Sequence, residues 1–514
     1  MLTLPLGPTY YAQLQFSDAD SCVAWLETVP LARLADAHEM VSAQIGLVAR
    51  TEIPALERMR VLEILYQTAK HLQDEFSRRF IGRALPLSIV EYSVWNTVVD
   101  LWRSLYDGYH ACLRRCVRDD ATLAHAPLLA LRCIELTAAA IREHHRVYRA
   151  VPAALWKRLH DSYANAERHG LVTADVPDPL RASAITRTCA GAYARALLAH
   201  LSNPYTMSPR QMDVMYRWAE LWESLVHIGL NPTPPGLTPV LAVDLRSCAP
   251  AGASHRAEPG PAVRYLGLEQ LGQTLRGVLT LLRQGHDPAA LGLGDDCQQP
   301  GCERLLTLLY IQWCGSGIGQ LGPQSEHGED ARACVGFHIV VQQLASEAEA
   351  FRSGTASIRT AYGPLTEHWS VMGVSAPGFI SVARGPECDE RIEHHQLVAI
   401  KRRSASAFQL AVAQWLKHEE HGELSIGLRV LPGVPHMSAL RPLDDETASG
   451  SRTSAIVLPA APEMRTPATL VLAPGLFSKG RVFELVSGTL RKVRLLRLAE
   501  RGADFERAVF ELAN

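Results

Sequence analysis

The sequence predicts an α+β protein: an N-terminal all-α helical bundle or hairpin array followed by small antiparallel β-barrels. Three observations carry this prediction. Apolar residues recur at helical spacing from about residue 17 to 230. Four prolines within 231–239 then stop the pattern, and after residue 330 the period shortens to two, with many β-branched residues. At 514 residues the chain exceeds the ~250–300 that one core organises, so several domains are expected.

Ser17 and Asp18 can cap a first helix through Leu26. Segments ending near Arg50 and Phe80 follow, the second opened by Pro54. Val90, Val94, Val98, Leu101, Leu105 and Leu113 line one face of the next, and 128–148 repeats that spacing. Later helices are expected over 152–170, 185–202 and 208–229, the last capped by Ser208 before Pro209. This gives a helical domain over 15–230 and a Pro-rich linker over 231–261 with a candidate strand at Val240–Leu245. A small helical segment over 262–328 comes next, with helices near 267–284 and 303–314.

Strands are expected at Cys334–Val341, Trp369–Val374, Gln396–Ile400, Phe408–Trp415 and Leu424–Leu431. A second group is expected at Ala455–Leu458, Thr469–Leu472, Arg481–Val486, Leu490–Leu496 and Ala508–Leu512. Polar residues from Pro442 to Ser454 separate the two groups, which places barrels over 329–441 and 452–514. The run Arg491, Lys492, Arg494, Arg497 reads as an outward, solvated strand face.

With 51 basic and 53 acidic residues the formal charge is −2, so no global field favours DNA, RNA or an anionic membrane. No uninterrupted apolar run reaches the ~18 residues of a membrane span, and the N-terminus lacks a basic leader region. Eleven scattered cysteines suit reduced thiols, and a cytoplasmic location is expected.

The chemistry-bearing residues lie between Arg332 and Val434. Trp369-Ser-Val-Met-Gly-Val-Ser375-Ala-Pro-Gly378-Phe reads as a strand entering a tight turn. Leu397-Val-Ala-Ile400, Ala411-Val-Ala-Gln-Trp415 and Ser425-Ile-Gly427-Leu-Arg-Val-Leu431 follow. This order resembles the PilZ domain, a small bacterial barrel that commonly binds cyclic di-GMP. The family's pattern is an Arg-x-x-x-Arg approach, an Asp/Asn-x-Ser-x-x-Gly turn, a strand ending in Trp and a final Ile-Gly-Leu/Ile strand. The resemblance covers about a fifth of the chain. It implies a candidate nucleotide site at Arg332, Ser375 and Gly378, with arginine forks on the phosphates. The chain departs from the pattern twice: Gly373 stands at the Asp/Asn position and Gly328 four before Arg332. Arg352 and Arg359 are off-register substitutes.

Other signals carry less. Gly317, Gly319 and Gly322 match a dinucleotide fingerprint but precede Pro323 rather than a helix. Cys297 and Cys302 lack the spacing of a zinc module, and His418 and His421 are three apart rather than four. No nucleophile elbow or Walker loop occurs, so no enzyme and no metal or cofactor is expected. The sequence therefore points to a signalling protein, a candidate cyclic di-GMP receptor whose helical domain docks a protein partner. The alternative is a nucleotide-independent adaptor working through protein contacts.

Overall fold

Helices begin where the chain supplies caps. Asp18, Ser88 and Ser208 each accept a hydrogen bond from the backbone three residues on, and each is repaid by the side chain at that position. The computed structural model describes residues 13–119, 121–177, 186–232, 240–253, 260–315, 328–353, 366–375, 378–388, 390–443, 452–487 and 489–513. They form two units, Met1–Gly82 with Leu87–Gln320, and Arg83–Pro86 with Leu321–Asn514.

The first unit contains α1 (Ala19–Leu26), α2 (Leu34–Arg50), α3 (Ala55–Ser77), α4 (Ile89–Cys116), α5 (Ala126–Arg146) and α6 (Ala153–Arg168). A short pair, β1 (Val176–Pro177) and β2 (Thr186–Arg187), precedes α7 (Cys189–Leu201) and α8 (Pro209–Leu221). The arrangement is held by charge as well as apolar packing. Arg132 of α5 is 1% exposed and grips both oxygens of Glu63 at 2.9 Å, with Glu135 also at 2.9 Å. A buried charge persists only when paired in this way.

The Pro-rich region is more than a connection. β3 (His227–Gly229), β4 (Leu241–Asp244), β5 (Gly252–Ala253) and β6 (Val263–Gly267) form a four-stranded sheet in the order β3-β6-β4-β5. After it, α9 (Glu269–Arg283) and α10 (Gly301–Cys314) belong to the same unit. Trp313 of α10 donates to the Leu198 carbonyl, and Trp218 of α8 donates to that of Leu293. The stretch Leu123–Arg146 is long and apolar enough to cross a membrane by length and composition, but 67% of its apolar window is buried within the protein.

The second unit holds two closed antiparallel six-stranded barrels, so the chain is α+β as the sequence predicts. β7 (Glu329–Val335), α11 (Phe337–Ser353), β8 (Glu367–Ser375), β9 (Phe379–Arg384), β10 (Leu397–Arg402), β11 (Gln409–His418) and β12 (Leu424–Val430) build the first, in the order β10-β11-β12-β9-β8-β7. β13 (His436–Pro442), β14 (Thr453–Leu458), β15 (Thr469–Leu472), β16 (Val482–Ser487), β17 (Thr489–Arg501) and β18 (Glu506–Ala513) build the second, in the order β13-β14-β15-β18-β17-β16. Closure leaves neither sheet an open edge.

Three expectations change. The strand read over Cys334–Val341 is the end of β7 followed by α11: Gly336 turns at φ +92°, and Val340, Val341 and Leu344 recur at helical spacing. β9, which follows Gly378, is not among the expected strands, although Ile380 and Val382 alternate inward. β13, flanked by prolines, pairs with β14 and β16, so the division between barrels falls before His436 rather than at Pro442.

One apolar core joins the barrels. Phe337, Val340 and Leu344 of α11 pack with Leu397, Leu410 and Val412 of the first barrel and with Ile456, Leu458, Val471 and Phe505 of the second. Asp504 accepts from the amides of Phe337 (2.5 Å) and Leu397 (2.9 Å), so the second barrel caps α11 and pins β10.

Candidate nucleotide site on the first barrel

β8 alternates strictly near its start, with Trp369 and Val371 inward and Ser370 and Met372 outward. A bulge at Val371/Gly373 shifts the register before Ser375 pairs with Phe379 across the turn. Gly378 closes the turn at φ +102°, a conformation that favours glycine, and its carbonyl accepts the Val430 amide at 2.7 Å. The turn is thereby tied to β12, where Arg429 pairs with Phe379. Phe379 is 44% exposed.

Arg429 meets charge from the second barrel. Its guanidinium pairs with Glu500, whose other oxygen takes Arg507 at 3.2 Å. Arg507 lies within electrostatic reach of Arg429 and the exposed Arg497, and burial followed by these like charges lowers its pKa against the pull of Glu500. Its Nε–H is buried and meets no acceptor. Two guanidinium groups, those of Arg429 and Arg507, therefore share one carboxylate beside an exposed aromatic ring, with Arg497 within electrostatic reach of Arg507. Such a surface suits phosphate oxygens and a stacked base.

Register separates the sequence-predicted residues. Ser375 and Gly378 sit together at the turn, but Arg332 pairs with His368 on β8 and Lys401 on β10. Seven residues of strand separate His368 from Ser375, about 23 Å at the usual rise. Arg332 instead faces Glu347 of α11 at 3.5 Å and lies 5.6 Å from the Phe408 ring centre. Arg352 lies in α11, Arg359 is outside the described residues, and Gly315–Gly328 contains no arginine. Gly373 is buried in β8. The arginines beside the turn thus come from β12 and from the second barrel, a supply that spacing along the sequence does not reveal.

At the far end of β8, Arg384 is 1% exposed and grips both oxygens of Glu367 at 2.6 Å, while Trp369 donates to the same carboxylate at 2.7 Å. Burial raises the Glu367 pKa, but the bonds from Arg384 and Trp369 outweigh it and leave the group below its ordinary value. This clasp ties β8 to β9. Among the described residues no group of three or more His, Cys, Asp or Glu is placed to hold a metal.

The family comparison divides along the same architecture. The model described as the cyclic-di-GMP receptor FimW, N-terminal domain, matches residues 20–234, and the FimW C-terminal β-barrel domain matches 438–513. The second match starts two residues into β13, and the first barrel lies between the two matches. No curated protein matches the chain. With a helical domain and a terminal barrel that together span more than half of its length, the chain belongs to the FimW family of cyclic-di-GMP receptors.

Proposed function

We propose that the protein is a cytoplasmic, non-enzymatic receptor that binds cyclic di-GMP at the turn end of the first barrel and passes the signal to a protein partner docked on its helical unit. The observation that carries the site is the pairing of Arg429 with Phe379 directly beside the Ser375–Gly378 turn, with Arg507 alongside. Phosphate oxygens take the Arg429 fork and the unpartnered Arg507 Nε–H, a guanine stacks on Phe379, and the Ser375 hydroxyl reaches a base edge. Arg332 stays with Glu347 and contributes to the barrel rather than to the ligand.

The same geometry suggests how binding is felt elsewhere. When the ligand draws Arg429 away from Glu500, it alters the ion pair that spans the two barrels. Hydrogen exchange of the full chain with and without cyclic di-GMP tests the placement. Slowed exchange at Phe379 and at Val430, whose amide bonds Gly378, is expected. Protection confined to the Arg332 end of the barrel would contradict it.

A further inference from the structure

We propose a second anion site, in the helical unit, for a small phosphorylated molecule carrying two or more negative charges. It is independent of the barrel site. Arg50 ends α2, Arg58 lies in the first turns of α3, Arg114 and Arg115 are in the last turn of α4, and Arg118 follows just beyond. Arginines at helix C-termini complement the macrodipole. That explains Arg50, Arg114, Arg115 and Arg118 locally, but not Arg58 at the opposite end of its helix, nor the convergence of all five on a single cleft.

The cleft measures about 430 Å³, and its charged lining is these five arginines against one carboxylate, Glu52. Arg58 is only 3% exposed; its guanidinium donates to the Thr51 carbonyl, and its buried Nε–H meets no acceptor. Arg115 is held by the Ile53 carbonyl at 3.4 Å. Arg50, Arg114 and Arg118 make no ion pair with any described residue. A floor of donors fixed by backbone oxygens, below a rim of unneutralised guanidinium groups, attracts a ligand that is all acceptor. The planar arginine fork matches phosphate bidentately. The volume is in the range of ordinary small-molecule sites.

Calorimetry of the full chain with inorganic pyrophosphate tests this. One-to-one binding is expected, at least about tenfold weaker after Arg114→Glu with Arg118→Glu, since each change removes a charged donor and adds a repelling carboxylate. Both positions are exposed, and unchanged thermal unfolding would show that the double variant folds. Arg429→Ala should leave pyrophosphate binding as it is, which separates this site from the barrel site. Repeating the titration with saturating cyclic di-GMP identifies the source of the phosphate: displacement assigns the cleft to the dinucleotide, and unchanged binding assigns it to a different phosphorylated metabolite. No binding at millimolar pyrophosphate, or equal binding by the double variant, overturns the proposal.

Discussion

A β-carbon on Gly427 would stand 1.8 Å from the indole Nε1 of Trp415, its partner across β11 and β12. The glycine exists so that the tryptophan can lie flat over the strand next to the one that carries the turn. The Trp and Ile-Gly-Leu elements, twelve residues apart in sequence, are therefore one packing unit.

Gly427→Ala should push that indole off the barrel and cost about 1–3 kcal/mol, as overpacking does. Thermal unfolding checks it. Because Gly427 is two residues from Arg429, cyclic di-GMP binding should weaken as well.

Asp504 holds two amides, one on α11 and one on β10. Asp504→Ala should destabilise the barrel unit by about 1.5–3 kcal/mol, since it leaves both donors without their charged acceptor. Asp504→Asn, with one acceptor oxygen, should recover part of the loss. A urea midpoint unmoved by the alanine change would show that the two barrels do not rely on this link.

The helical unit should be acid-sensitive. Burial lowers the pKa of His144 to about 4, takes His145 well below its ordinary value with help from His200 and His144, and lowers those of His38 and His160. The unfolded chain binds these protons near 6.5 and the folded chain does so only at lower pH, far lower for His144 and His145, so stability falls as pH drops through that interval. His144 alone is worth up to roughly 3 kcal/mol by pH 4. Unfolding midpoints should decline steadily from pH 7 to 4.5; a flat profile would contradict the burial of neutral imidazoles.

The parts of this fold that were legible in the sequence are those with local causes. Asp18 and Ser208 announce helices because a cap acts within one turn, and Trp415 and Gly427 sit in recognisable strands. What escaped depends on partners far along the chain. α11 is capped by Asp504, 167 residues from Phe337, and Arg429 meets Glu500 across 71 residues. Arg332 resembled a ligand arginine because it directly precedes the strand expected from Cys334, but it lies within β7, and only the β7–β8 register reveals that it pairs with His368, seven residues along β8 from Ser375.

The central claim is that cyclic di-GMP is held by arginines gathered at the turn rather than by Arg332 in β7. Titration of the wild type, Arg429→Ala and Arg332→Ala with cyclic di-GMP tests it most directly. The account predicts that the wild type binds, that Arg429→Ala binds at least about tenfold more weakly for loss of a charged fork, and that Arg332→Ala binds like the wild type. Loss of binding in Arg332→Ala with Arg429→Ala unaffected, or no binding by the wild type, would contradict it.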